Sequence, residues 1–208
     1  MKNRIFTETD EERRGSASFH GVRAFTLIEM MVAVSIFAIV MMVGVGALLS
    51  LTAANARAQA INSIINNLNA ALEDMSRSIR VGTTYHCETT AFPPPPSILA
   101  AAKDCASGGG LLLAFEPSNG DSANQNDQEV FRLNGTRIER SLDAGATWVA
   151  VTAPEVSIDK FNLSVTGSAR GGGIQPRVLI TLQGSAAVPG GTTSFNVQAS
   201  IVQRILNI

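Results

Sequence analysis

Histidine is nearly missing from this chain, with two in 208 residues, and its 16 basic residues are balanced by 17 acidic ones. The first scarcity leaves little material for a histidine-based metal centre or catalytic dyad. The second removes the basic surplus by which a nucleic-acid-binding surface is usually recognised. Cysteine occurs twice, at Cys87 and Cys105, too few with one neighbouring histidine, His86, to make the roughly four ligands of a structural zinc site. Two glycine triplets, 108–110 and 171–173, are followed neither by Lys-Ser/Thr nor by a helical pattern, which excludes a phosphate-binding loop. Two further absences are permissive. No proline lies between Phe25 and Val81, and no charged residue lies in 30–51.

What is present is strongly polarised. The uncharged run of 22 residues, 30–51, covers the roughly 30 Å hydrocarbon thickness of a bilayer at about 1.5 Å per helical residue. A polar leader, 1–24, precedes it and holds Lys2, Arg4, Arg13, Arg14 and Arg23, whereas the first basic residue beyond the run is Arg57. This bias places the leader in the cytoplasm and everything after Leu51 outside, although Glu8, Asp10, Glu11 and Glu12 dilute it. A secretory signal peptide fits badly, since its apolar stretch spans about 7–15 residues and a small-residue cleavage site follows it. A plain signal anchor fits the length but not Glu29, a carboxylate just inside the apolar run. A lone acid at that depth needs a cation or the headgroups. Cutting the chain between Ala24 and Phe25 would create an amine four residues before Glu29, about one helical turn away.

The string "AFTLIEMMVAVSIFAIV" (24–40) resembles the N-terminal signal of type IV pilins and of the pseudopilins of type II secretion. The resemblance covers about a quarter of the chain and is densest in its first dozen residues. It implies cleavage between Ala24 and Phe25 by a prepilin peptidase on the cytoplasmic side, N-methylation of Phe25, and pairing of Glu29 with the N-terminal amine of an adjacent subunit. Two departures stand out: Ala24 occupies a position that is usually glycine, and the leader is longer than in many members.

Beyond the apolar run, Ile61, Ile64, Ile65, Leu68, Leu72, Met75 and Ile79 recur at spacings of three and four, with Asn62, Asn66, Asn69, Glu73 and Arg77 on the other faces. One helix of about 85 Å is therefore expected over 25–81, a membrane half (25–51) followed by an amphipathic half (52–81). Gly44 and Gly46 are its weak point at about 1 kcal/mol each relative to alanine, unless they serve close helix packing in the membrane. The resemblance places a melted or kinked stretch near here. Residues 82–110 read as a loop, with four consecutive prolines (93–96) forcing an extended polyproline conformation and a short helix over 97–103. Cys87 and Cys105 bracket this loop in an exported domain and read as a disulfide, with two free thiols the alternative.

From residue 111 the period changes to alternation. Strands are expected at 111–117, 129–133, 136–141, 147–152, 156–165, 177–184 and 193–205, with Asn134-Gly135 as a hairpin signal of the I′ type. They form an antiparallel sheet with one apolar face, which the long helix covers. The expected class is α+β: a lollipop in which the helix protrudes from a β-sheet head over 111–208. "FRLNGTRIERS", Trp148 and the closing "FNVQASIVQRILNI" resemble, more weakly, the J-type minor pseudopilins and minor pilins.

Catalytic constellations are thin. His20 lies in the leader, and His86 beside Cys87 would be a Cys/His pair only without the disulfide. Asp121, Asn124, Asn126 and Asp127 are oxygen ligands of the kind calcium takes, but their spacing fits no EF-hand and a polar turn accounts for them. No cofactor, metal or small-molecule substrate is expected. The function expected is structural: a minor subunit of a type IV pilus or type II secretion pseudopilus, inserted in the inner membrane and assembled through its N-terminal helix. Its partners would be other subunits, a prepilin peptidase and an inner-membrane platform driven by a cytoplasmic ATPase. The alternative is a membrane-anchored module whose β head recognises a surface, DNA or cargo.

Overall fold

A computed structural model describes residues 24–169 and 171–204. The expected leader, with its five basic residues and His20, lies outside the described residues apart from Ala24, as do the last four positions of the closing string. By internal contacts the chain forms two units, residues 1–48 and 49–208. The secondary structure is α+β, with one long helix and antiparallel strands.

Helix α1, Leu27–Val81, runs unbroken through Gly44 and Gly46. In the first unit its residues are all exposed, and over this apolar stretch it is long and apolar enough to cross a membrane. In the second unit the amphipathic part of α1 buries Ile64, Leu68, Ala71, Leu72, Met75 and Ile79. The expected stripe is therefore present, with one correction: Ile65 is 48 % exposed, because it lies at the flank of the buried stripe and not at its centre. The helix stops at Gly82, whose N–H donates to the carbonyls of Ser78 and Ile79. A side chain at Gly82 would run into the ring of Phe115, 2.3 Å from a Cβ built there, so the close approach of helix end and sheet needs glycine.

The strands form two sheets and not the single one expected. The first holds β1 (Thr83–Glu88), β2 (Leu112–Glu116), β3 (Glu129–Asn134), β4 (Arg137–Ser141) and β5 (Val149–Ala150) in that order; the second holds β6 (Val156–Thr166), β7 (Arg177–Val188) and β8 (Gly191–Val202). Every pairing between these strands is antiparallel. Strand β1 corrects the reading of 82–110 as loop. Its sequence, TTYHCE, carries no alternation because Tyr85, His86 and Cys87 are all buried, so both faces are covered. Tyr85 stays satisfied by donating its hydroxyl to the carbonyls of Ile79 and Gly82. The strand expected over 147–152 shrinks to two residues, while β7 runs four residues further than expected, to Val188. Helix α2, Pro96–Leu99, is the short helix, ending four residues before its expected limit.

The Asn134-Gly135 hairpin forms with a shifted turn. Asn134 pairs with Arg137, so the two loop residues are Gly135 and Thr136, and only Gly135 has positive φ (59°). Glycine at the first central position with a non-glycine after it is the II′ pattern, not I′.

One apolar core joins α1 to both sheets, with Met75, Ile79, Phe115, Phe131, Leu163, Ile180 and Leu182 at 0 % exposure. A smaller cluster of Leu99, Leu112, Ala114, Val130 and Ala144, edged by Trp148, covers the other face of the first sheet. This explains why "LLLAF" is apolar at every position: β2 is buried on both sides.

The turn after β4 is held by Asp143, whose carboxylate accepts from the Ser141 hydroxyl (2.6 Å) and from the Thr147 N–H and hydroxyl (2.8 and 2.7 Å). The hydrogen bonds from Ser141 and Thr147 lower the Asp143 pKa from 3.8 to about 2. An acid depressed by folding contributes stability that is fully present above 3.8 and is lost as pH falls toward 2. In an acid-unfolding series, Asp143→Asn should flatten the decline between pH 4 and pH 2, leaving the variant and the wild type closer in stability at pH 2 than at pH 5.

Candidate functional site

Residues 24–26 are outside the helix, and Leu27 is its first residue. Thr26 stands at the N-cap: its hydroxyl oxygen accepts the Glu29 N–H at 3.2 Å and its carbonyl accepts the Met30 N–H at 3.2 Å. This satisfies one of the amides that a helix start leaves orphaned and costs about 1 kcal/mol to remove. Thr26-x-x-Glu29 has the spacing of a capping box, a signal that the sequence carried and that a reading centred on Glu29 alone misses. Glu29 itself lies exposed in the first turn of α1, where a carboxylate is favoured by the positive end of the helix dipole.

Phe25 is 73 % exposed and follows Ala24 in non-helical backbone. The bond between them is thus free of the helical hydrogen-bond ladder that begins one residue later. A cut there would leave a free amine just ahead of the Thr26 cap, on the chain that carries the Glu29 carboxylate. Such an end would carry one cation and one anion four residues apart, one ahead of the helix and one in its first turn.

The second candidate cluster is structural in its geometry. A disulfide joins Cys87 and Cys105, with Cα atoms 5.8 Å apart, so no thiol is left for a Cys/His pair. Closing a loop of this length stabilises the fold by about 3 kcal/mol in the chain-entropy account. Buried His86 has Nδ1 at 2.6 Å from the Ala101 carbonyl and Nε2 at 2.9 Å from Glu88 Oε1, to which Lys103 Nζ donates at 2.6 Å. Burial raises the Glu88 pKa, but the hydrogen bonds and charges of Lys103 and His86 outweigh it and hold the carboxyl below its usual range. The backbone follows the same line, with Cys87 N–H donating to the Lys103 carbonyl and Lys103 N–H to that of Tyr85. The segment that holds Lys103 and Cys105 is therefore fastened to β1.

The oxygen-rich loop 119–127 uses its side chains on its own backbone. Asp121 Oδ1 accepts from Ala123 N–H, Asp127 Oδ2 from Asp121 N–H, and Asn124 Oδ1 from Asn126 N–H. Among the described residues no three His, Cys, Asp or Glu side chains converge as a metal set. The glycines at 108–110 adjoin the disulfide and Asn162 of β6, whose side-chain oxygen accepts the Gly109 N–H.

No curated protein and no solved structure matches the chain. The family model described as the prokaryotic N-terminal methylation motif matches residues 20–45, a stretch that contains Ala24, Phe25, Thr26 and Glu29. The capped helix start, the acid in its first turn and this match together identify the N-terminal region as a type IV pilin-like prepilin signal.

Proposed function

We propose that the chain is a minor pilin or pseudopilin, a structural subunit of a type IV pilus or type II secretion pseudopilus, with the J-type minor subunits as its nearest resemblance. The observation that carries this reading is the methylation motif seated on a capped helix start that is apolar but for Glu29 in its first turn. In this reading a prepilin peptidase cuts between Ala24 and Phe25 and methylates Phe25. The chain waits in the inner membrane with the leader side in the cytoplasm and the β-rich unit outside. It enters a filament when its new amine meets a neighbour's Glu29 and the apolar helices bundle. The role is architectural and not catalytic; the work of extraction falls to an assembly platform and its ATPase.

Mass spectrometry of the mature protein, extracted from membranes of cells with an active prepilin peptidase, tests this directly. The expected N-terminal peptide begins at Phe25 and carries one extra methyl group on its amine. A mature chain that still begins upstream of Phe25 would leave a tethered module in place of a filament subunit.

A further inference from the structure

One segment of the chain is not absorbed by filament assembly: "FPPPP", residues 92–96. Pro95 has φ −52° and ψ 151°, in the polyproline II region, and Pro96 begins α2. A polyproline II helix has three residues per turn, so positions three apart share a ridge. Phe92 and Pro95, three apart, are the exposed pair, Phe92 at 82 % exposure, while Pro93, Pro94 and Pro96, the last already in α2, are half-buried. Pro93 abuts Gly145 beside the ring of Trp148, which is itself fixed by its indole N–H on the Gly145 carbonyl (2.9 Å) and by the Arg132 guanidinium 3.7 Å over its ring centre. Leu99, fully buried, anchors the following turn.

The protein thus packs Pro93, Pro94 and Pro96 partly against itself and leaves Phe92 and Pro95 facing out. Among the described residues beyond Leu51, Phe92 is the one aromatic in the set of exposed large apolar side chains. Prolines carry no N–H, so this stretch cannot add to a sheet by a backbone ladder. It offers ring faces and acceptors instead. The carbonyls of Pro95 and Pro96 are taken by the first turn of α2, whereas among the described residues no donor reaches those of Pro93 and Pro94. An open groove of about 540 Å³ runs along the prolines, lined also by Asn126, Asp143, Ala144, Gly145 and Ala146, and leaves room for the wall of a partner.

We propose that Phe92 and the prolines after it are a preformed polyproline ligand, displayed for an aromatic-lined groove on a partner protein. The chemistry of the segment selects that occupant. Tyr and Trp present flat apolar faces to proline rings and donate O–H or N–H bonds to carbonyls that have no donor of their own. A pocket for the Phe92 ring sets direction. Because the segment is already extended and braced, binding costs little ordering entropy.

A purified EVH1 domain, an aromatic-grooved reader of polyproline, serves as the first probe. Titrated against the full chain in detergent micelles and followed by anisotropy, it should bind saturably, and Phe92→Ala and Pro95→Ala should each weaken binding at least tenfold. Both variants should unfold at the wild-type temperature. Absence of binding above an empty-micelle control, or binding indifferent to Phe92→Ala, overturns the proposal. The natural partner is reached by a photoreactive benzoylphenylalanine at position 92 in living cells. A protein adduct at a Trp- or Tyr-containing peptide, lost in Pro94→Ala/Pro95→Ala, supports it; adducts confined to lipid overturn it. EVH1 binding should survive Glu29→Gln, so this test reads out independently of filament assembly.

Discussion

Glu29→Gln should abolish incorporation into filaments while leaving insertion and cleavage intact. Glutamine keeps the shape of the side chain, and the cap survives because Thr26 receives the backbone N–H of residue 29 and not its side chain. Only the charge is removed. An amine and a carboxylate about 4 Å apart at an effective dielectric near 20 attract by about 4 kcal/mol, which corresponds to roughly three decades of affinity for each subunit contact. In quantitative blots of sheared surface fractions against membrane fractions, the variant should fall at least tenfold in the sheared material and accumulate in the membrane, cut at Phe25. A tethered binding module would show no such redistribution. Equal filament yield from variant and wild type would therefore remove the counter-charge account and favour the anchored-module reading.

For stability the largest expected effect is at Phe115, and Phe115→Ala should cost about 3–5 kcal/mol. Phe115 is fully buried and sits where three elements meet. Its ring faces Gly82 at the end of α1, lies 6.0 Å from the Tyr85 ring on β1 and 6.2 Å from the Phe131 ring on β3. Neighbours drawn from a helix end and two strands cannot all relax into one cavity, because the backbone of each is held by its own hydrogen bonds. At about 2–4 °C per kcal/mol for a protein of this size, the melting temperature should drop by roughly 10 °C. The single tryptophan, Trp148, gives a fluorescence signal for the measurement. Phe92→Ala, which removes as large a ring from an exposed site, should stay within about 0.5 kcal/mol. A Phe115→Ala melt that coincides with the wild type would show that the second core cluster and the disulfide, and not the main core, set the unfolding transition.

Much of the fold is legible in the chain before any coordinates. The helix is readable because a proline-free stretch of 3.6-residue period is a local property, and its start is written in Thr26 and Glu29. The strands β2, β3, β4, β6, β7 and β8 fall near their expected positions because alternation and turn residues are local too. The candidate site is contiguous, so its motif is legible in one short stretch, while the Thr26 cap on the Glu29 N–H is what the structure adds to it. What escaped was non-local. Strand β1 is hidden because both of its faces are covered, and a strand buried on two sides loses the alternation that marks one. The hairpin at Gly135 shows the same limit on a smaller scale: the dipeptide signals a turn, but pairing between Asn134 and Arg137 selects which residues occupy its centre.

By itself the sequence determined that one long helix runs from an apolar half into an amphipathic half, and where β2, β3, β4, β6, β7 and β8 fall, since each follows from spacing along a few turns of backbone. Only the tertiary structure decided that the strands divide into two sheets, that Cys87 and Cys105 close against β1, and that Phe92 faces water while Pro93 packs near Trp148. Those outcomes depend on which distant segment covers a given face, and period and composition state that a face needs covering without saying by what.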